Sequence, residues 1–336
     1  MQLKNNEEKM LYPLKFKPIL KDKIWGGQKL KTIFGRDFGN LPNAGESWDL
    51  SGVEGNESVV INGSLAGNNL SELLEVYMGD LVGDAVYERY GNQFPLLVKV
   101  IDANDALSIQ VHPDDEMAAQ RHNSLGKTEM WYLLDADEHA SLISGFVSEM
   151  DKETYLKSVE DNTLESLLRS YDVQKGDVFF MPAGRVHAIG KGCLIAEFQE
   201  TSDITYRIYD FNRVDSHGNH RELHTDLAVD AIDFSYVENA KIKYSLKTNE
   251  PSNVVDCEHF TTNVLPVEGV VERNYSLLDS FVILMGVEGD LELQWNGGVE
   301  TLKMGETILI PAMIENITLK SQNKGKVLEV YIRNKK

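Results

Sequence analysis

Four residues at strand-like spacing could hold a divalent metal. They are Gln110 and His112 in Ser108-Ile109-Gln110-Val111-His112-Pro113, Glu129 in Lys127-Thr128-Glu129, and His187 in Pro182-Ala183-Gly184-Arg185-Val186-His187. Side chains of a β-strand change face at every residue, so Ser108, Gln110 and His112 share one face and Leu107, Ile109 and Val111 the other. By the same rule Lys127 and Glu129 lie opposite Thr128 and Met130. A second strand signal, Asp177 to Pro182, runs into Gly184 and ends close to His187. One polar row alone is ordinarily a solvated face. Several rows converging on one interior make a metal site. Imidazole nitrogen and carboxylate oxygen are good zinc ligands, whereas a structural zinc more often takes cysteines. A mixed nitrogen and oxygen set with room for water or substrate points to catalysis.

The elements that carry these residues are mostly β. From 94 to 213 the pattern is short strands separated by turns, beginning with the apolar run Phe94 to Ile101, as expected of an all-β barrel or sandwich. Two stretches depart from it. Residues 69–90 place Leu70, Leu73, Leu74 and Tyr77 at helical spacing, with Ser71 and Glu72 as a helix start. Residues 151–171 read as two short amphipathic helices joined near Asp161-Asn162, an insertion that either covers a site mouth or decorates the surface. There is also an internal echo: Gly176-Asp177 with Pro182, and Gly305-Glu306 with Pro311, each bracketing an apolar strand. Five residues past the proline the first copy has His187 and the second Asn316, as if a second β unit had lost the ligand. Strand-like runs at 280–285 and 327–332 fit that unit. The expected division is 1–240 for the site-bearing domain, with helical segments near 69–90 and 151–171, and 241–336 for a C-terminal β domain without metal ligands.

Composition narrows the function classes. The 336 residues carry 33 Lys plus Arg against 53 Asp plus Glu, a net charge of −20. Nonspecific binding to nucleic acid or to an anionic membrane needs a basic surface, so neither is expected as a partner. A small anionic substrate needs only a few local cations. Cys193 and Cys257 are too few for a disulfide framework or a cysteine-rich zinc site. Residues 1–10 contain no apolar signal core, and the longest apolar runs are too short to cross a bilayer. A cytoplasmic protein is expected.

With these residues assembled, the chain resembles a known family. Gly-Asp-x4-Pro-x-Gly-x-x-His at 176–187 is similar to a cupin motif, that of double-stranded β-helix (jelly-roll) barrels which often hold a metal. Adding Gln110-Val-His112-Pro, Lys127-Thr-Glu129 and Tyr206-Arg207-Ile-Tyr-Asp210 narrows the resemblance to the type I mannose-6-phosphate isomerases, in their shorter bacterial form. The resemblance runs from about Pro18 to Asp226. It implies a cupin barrel with small helical insertions and a second, degenerate cupin-like domain. It further implies one Zn2+ per chain on Gln110, His112, Glu129 and His187, with Lys127 and Arg207 in the active site. Longer members have a histidine just before the lysine; here that position is Gly126. Trp25-Gly-Gly27 and Gly45-Glu-Ser-Trp48 also look family-like and are read as mainly structural.

The implied reaction interconverts mannose 6-phosphate and fructose 6-phosphate by moving a proton between C1 and C2 through an enediol. It needs a positive centre for developing oxygen charge, a proton carrier and a cationic contact for the phosphate. Neutral Gln110 in place of a carboxylate leaves the metal more positive. Lys127 is the leading proton carrier, with a water on zinc as its rival. Arg207 either holds the phosphate or steadies the enediolate, and its plain reading is an ion pair with Asp203 or Asp210. His122, His139, His217, His220, His224 and His259 fall outside the motifs. Two other classes remain at this point: a cupin oxygenase holding iron, and a non-catalytic sugar-phosphate-binding cupin.

Overall fold

The computed structural model describes residues 11–214 and 217–333, so the N-terminal ten residues, read above for a signal core, lie outside it. The chain forms two compact units: one of Ile19–Trp48 with Leu96–Lys243, the other of residues up to Pro18, Asp49–Pro95 and Tyr244–Lys336. This grouping differs from a division at 240/241 by placing the helical segment near 69–90 with the C-terminal strands. Backbone pairing is the reason. Phe281 N donates to Val82 O (3.1 Å) and Ala312 N to Leu81 O (2.9 Å), while Leu14–Lys15 adds a strand beside Thr307–Ile310. The helix Leu70–Val82 starts one turn position earlier than Ser71. Asn69 is its cap, accepting from Glu72 N, and Glu72 Oε2 accepts from Asn69 N, both at 2.8 Å, a reciprocal box that satisfies two otherwise orphaned donors. No helix among the described residues is long and apolar enough to cross a membrane.

The first unit is a pair of antiparallel sheets, the expected mainly β, cupin-like architecture. The six-stranded sheet runs Ile19–Lys21, Glu46–Leu50, Leu96–Asp102, Cys193–Glu200, Glu129–Ala136, Val178–Met181. The five-stranded sheet runs Tyr206–Tyr209, Ile109–Val111, His187–Ile189, Ser141–Phe146, Leu168–Asp172. Ile101, Trp131, Leu133, Phe179 and Ile195 from the first sheet pack in one core with Leu142 and Ile189 from the second. Lys99, Glu129 and Glu197 each lie two residues from one of these core positions, Ile101, Trp131 and Ile195 respectively, and so share their face of the strand. They therefore point into the space between the sheets.

Ile109 and Val111 face the other way. They join Phe146, Ala188, Ile208 and the helical Tyr155 in a separate core on the outer side of the five-stranded sheet. That decides the place of the 151–171 insertion: it packs on the back of the sheet that carries Gln110. Its first half is the helix Lys152–Glu160, capped by Asp151 accepting from Thr154 N (2.7 Å). Its second half is a short 3-10 turn, Leu164–Leu167, that leads into the strand Leu168–Asp172 rather than a second α-helix. A further helix, Asp115–His122, capped by Asp114, stands between the Gln110 strand and Lys127.

In the second unit the echo is structural. Gly176 and Gly305 both adopt positive φ (90° and 81°), each opening a turn into a strand, Val178–Met181 and Thr307–Ile310. His187 and Asn316 are each the first residue of the strand that follows. Asn316, however, is exposed, and the interior of this unit is closed by its own ion pair. Glu329, fully buried between core residues Val327 and Tyr331, accepts a fork from Arg273 (2.9 and 3.0 Å), the Tyr275 hydroxyl (2.7 Å) and Asn263 Nδ2 (2.9 Å).

Tyr155 gives a direct test of the insertion's role, because its ring is fully buried while its hydroxyl has no partner. Tyr155→Ala should destabilise by about 3–5 kcal/mol in urea unfolding, the range for emptying an aromatic site. Tyr155→Phe removes only the unpaired hydroxyl and should leave stability level or raise it by up to about 1 kcal/mol. A marked loss in Tyr155→Phe would show that the hydroxyl has a partner and contradict this packing.

Candidate metal centre and active site

Strand register brings the motif residues together. Gln110 is paired directly with His187 on one side and with Arg207 on the other, so three side chains project side by side from adjacent strands. His112 follows two residues on, and Glu129 enters from the facing sheet as the first residue of its strand. One donor atom from each of His112, Glu129 and His187 lies within 4.8 Å of the others, and all three residues are buried. His112 Nε2 is 3.6 Å from Glu129 Oε2, and His187 Nε2 is 3.3 Å from Glu129 Oε1. Ligands at zinc bond lengths on a tetrahedron lie roughly 3.4 Å apart, so these spacings suit one such ion. The Gln110 amide lies beside the group, its Nε2 3.3 Å from His187 Nε2. A half-turn of that amide offers its oxygen to the same point.

The surroundings favour a cation there. His112 Nδ1 faces the Ile204 carbonyl (3.0 Å) and His187 Nδ1 the Arg185 carbonyl (2.8 Å). Donating there leaves both Nε2 lone pairs turned inward, the arrangement that orients metal-ligating histidines. Burial pushes His187 down to about 4 and, with help from Lys127, His187 and Lys99, His112 well below its usual range. Both are thus neutral ligands at neutral pH. Burial, then the Glu197 carboxylate, push Glu129 up to about 8, and a bound cation would reverse that shift. His112 Nε2 and both Glu129 oxygens are buried without a hydrogen-bond partner. Orphans of that kind cost about 1–3 kcal/mol each unless something compensates them. A divalent metal compensates all three at once.

Lys127 is buried, with Nζ 3.8 Å from Glu129 Oε2, and burial followed by Lys99 lowers its pKa. Arg207 donates to the Glu222 carbonyl (2.7 Å), and its buried Nε has no partner. The plain alternative for Arg207, an ion pair with Asp203 or Asp210, does not describe it: Asp210 is taken by Arg213 and Arg221. Gln110, Lys127 and Arg207 line a cavity of about 280 Å³ between the sheets. Gly126 accounts for the missing histidine: a Cβ there would stand 2.6 Å from the Asp114 carbonyl carbon and the Asp115 nitrogen. Of the outlying histidines, His224 accepts from Arg207 N (3.2 Å), and His220 meets the Arg213 carbonyl (3.0 Å) in a loop.

Several cavity residues lie outside the motifs. Lys99 is the one charged residue in the run Leu96–Ile101, and Glu197 and Gln199 alternate with apolar residues on Cys193–Glu200; those interruptions were the available signal. Lys99 Nζ contacts Glu197 Oε1 (3.1 Å) and Gln199 Oε1 (2.6 Å), while Trp131 Nε1 donates to Glu197 Oε2 (2.9 Å). The segments read as structural are only partly so. The glycines are: a Cβ on Gly45 would fall 2.7 Å from the Trp25 ring. Trp25, Glu46 and Trp48 line the cavity. Burial alone would raise the Glu46 pKa, but Lys99, Lys23 and the Trp48 N–H hold it at about 2, so it remains a carboxylate.

Comparison with known proteins places the chain in a family. Residues 13–142 match the phosphomannose isomerase type I catalytic domain, and residues 250–332 the mannose-6-phosphate isomerase cupin domain. The chain is 35% identical over 308 residues to mannose-6-phosphate isomerase ManA of Bacillus subtilis, covering 89% of this chain and 93% of that one. It is 35% identical over 314 residues to the mannose-6-phosphate isomerase of Streptococcus mutans, covering 91% and 95%. A crystal structure of mannose 6-phosphate isomerase from Bacillus subtilis superposes with a TM-score of 0.86 at 33% identity, covering 95% of this chain and 99% of that one. A putative mannosephosphate isomerase from Archaeoglobus fulgidus, at 22% identity and a TM-score of 0.78, shares the fold. At 35% identity over more than nine tenths of each relative's length, the chain belongs to the bacterial type I mannose-6-phosphate isomerases.

Proposed function

We propose that the protein interconverts mannose 6-phosphate and fructose 6-phosphate, using one zinc ion per chain held by Gln110, His112, Glu129 and His187. The observation that carries this reading is the convergence of unpartnered, buried donor atoms from His112 and Glu129 on one point in a cavity that also contains Lys127 and Arg207. Zinc bound there would supply a Lewis acid that draws electron density from the sugar's C1 and C2 oxygens. The chain does the rest. Lys127 carries the proton between C1 and C2, since its Nζ stands beside Glu129 on the cavity wall. Glu197, Lys99 and Gln199 hold one another, and the Trp131 indole holds Glu197, so the wall facing the sugar needs little reorganisation during reaction. Arg207 meets the anionic end of the substrate. The C-terminal β domain lies outside this chemistry, its interior being occupied by the Arg273–Glu329 pair. A cytoplasmic setting is part of the reading, because sugar phosphates are charged and do not pass bilayers.

Two histidines and one carboxylate would also suit iron in an oxygenase. The lysine- and arginine-rich cavity and the family membership favour the isomerase.

Purified protein should convert mannose 6-phosphate to fructose 6-phosphate, lose that activity on chelation and regain it with zinc, with metal analysis giving one zinc per chain. Folded, zinc-replete protein without turnover would remove this assignment, and iron as the retained metal would turn attention to the oxygenase reading. Within the site the two roles separate by variant. Glu129→Ala should lose zinc. Lys127→Ala should keep its zinc but lose about a hundredfold to ten-thousandfold in kcat, the range for a positioned acid–base group. Wild-type kcat in zinc-loaded Lys127→Ala would exclude Lys127 as the proton carrier.

A further inference from the structure

Asp210 lies at the end of the strand that carries Arg207 and is only 5% exposed. Its two oxygens are saturated by guanidinium groups. Arg213 Nη2 donates to Oδ1 at 2.6 Å, Arg221 Nε donates to Oδ2 at 2.8 Å, and Arg221 Nη2 bonds to Oδ1. The two contacts from Arg221 make a planar fork, which fixes the plane and reach of that side chain. Arg213 is fully occupied behind it, bonding to the Ala106 carbonyl and lying 3.7 Å from Asp105. Of these two arginines it is Arg221 that lines the cavity, together with Arg207.

The charge at this end is unbalanced. Among the buried and half-buried groups three guanidinium groups face one carboxylate, the other acids nearby, Asp105, Asp203 and Glu222, being exposed, and burial first, then Arg221, lower the Arg207 pKa. Asp203 also lines the cavity, but it is exposed and interacts with Lys21. Arg207 Nε is buried and aims no bond at any protein acceptor. An oxyanion with several acceptor oxygens would use that donor and relieve the repulsion between the arginines. The position along the sheet is suitable, since the Arg207 strand is separated from the His187 strand by one strand, Ile109–Val111. Arg207 thus stands one interstrand spacing from Gln110 and two from His187, about 5–10 Å, room for a short sugar between a metal on those ligands and an anion on Arg207.

We propose that Asp210 is a positioning residue: its fork with Arg221 sets that side chain beside Arg207 as the second arm of a clamp for the substrate's phosphate. The inference rests on the sugar-phosphate reading of the cavity and adds to it a residue that touches no substrate yet governs binding of the anion.

The test compares zinc-loaded wild type with Asp210→Asn, Arg221→Ala and the double variant, zinc content and Tm being measured for each. Mannose 6-phosphate kinetics and binding of inorganic phosphate, by calorimetry, are the two readouts. Asp210→Asn and Arg221→Ala should each raise KM by about tenfold or more, as expected for loss of a charge-assisted contact, with the loss falling on KM rather than kcat. The double variant should be no worse than Arg221→Ala, because Asp210 acts through Arg221. Phosphate affinity should fall in parallel. An unchanged KM in either single variant, or losses that multiply in the double variant, would overturn the proposal. Should Asp210→Asn fail to fold, Arg221→Lys replaces it: a KM close to that of Arg221→Ala supports the fork, and full rescue by lysine overturns it. Absence of turnover in the wild type is a failure of the isomerase reading alone. Phosphate binding then decides the clamp, weakened affinity in the variants supporting it and unchanged affinity overturning it.

Discussion

Burial of Glu129 between two imidazoles is the interaction on which the first β unit depends. A carboxyl withdrawn from water between His112 and His187, with neither oxygen bonded to a donor, is held towards its neutral form, and a cation joining it would restore the carboxylate. The neighbouring side chains are arranged for that. Each histidine turns its Nδ1 to a backbone carbonyl, and burial keeps both rings neutral. The two sheets supply the rigidity: Gln110, His187 and Arg207 are locked to one another by register, and Glu129 by its pairing with Met181 and Gln199.

Around this centre the cavity manages charge in layers. Lys99 and Glu197 neutralise each other near Glu46, which stays ionised beside Lys99 and Lys23. Farther along the five-stranded sheet the balance turns cationic, where Arg207, Arg213 and Arg221 gather about Asp210. A molecule with a net charge of −20 thus presents cations to this cavity locally, and does so with side chains whose orientations are set by bonds to the protein itself. The C-terminal unit makes the opposite use of a similar β framework. Its interior acid, Glu329, is satisfied by Arg273, Tyr275 and Asn263, so that both of its carboxylate oxygens are already bonded.

The sequence by itself determined the period-2 patterning and the motif order. Those were enough for the β architecture and for the candidate ligands Gln110, His112, Glu129 and His187, while the family, and with it Lys127 and Arg207 as candidates, came through the resemblance that the motifs carry. The ligands were legible because alternation within one strand is a local property. Lys99, Glu197, Glu46 and Arg221 were not legible as site residues, since their meaning depends on which strands lie opposite one another. The tertiary structure alone decided that Ile109 and Val111 face helices rather than the inter-sheet core, and so that the 151–171 insertion lies behind the site. It also decided that Asp210 bonds Arg221 across eleven residues of chain instead of Arg207 three residues away. Both outcomes follow from the same physical fact. A strand's pattern states which side chains share a face, but only the pairing of strands and the packing of sheets settles what that face meets.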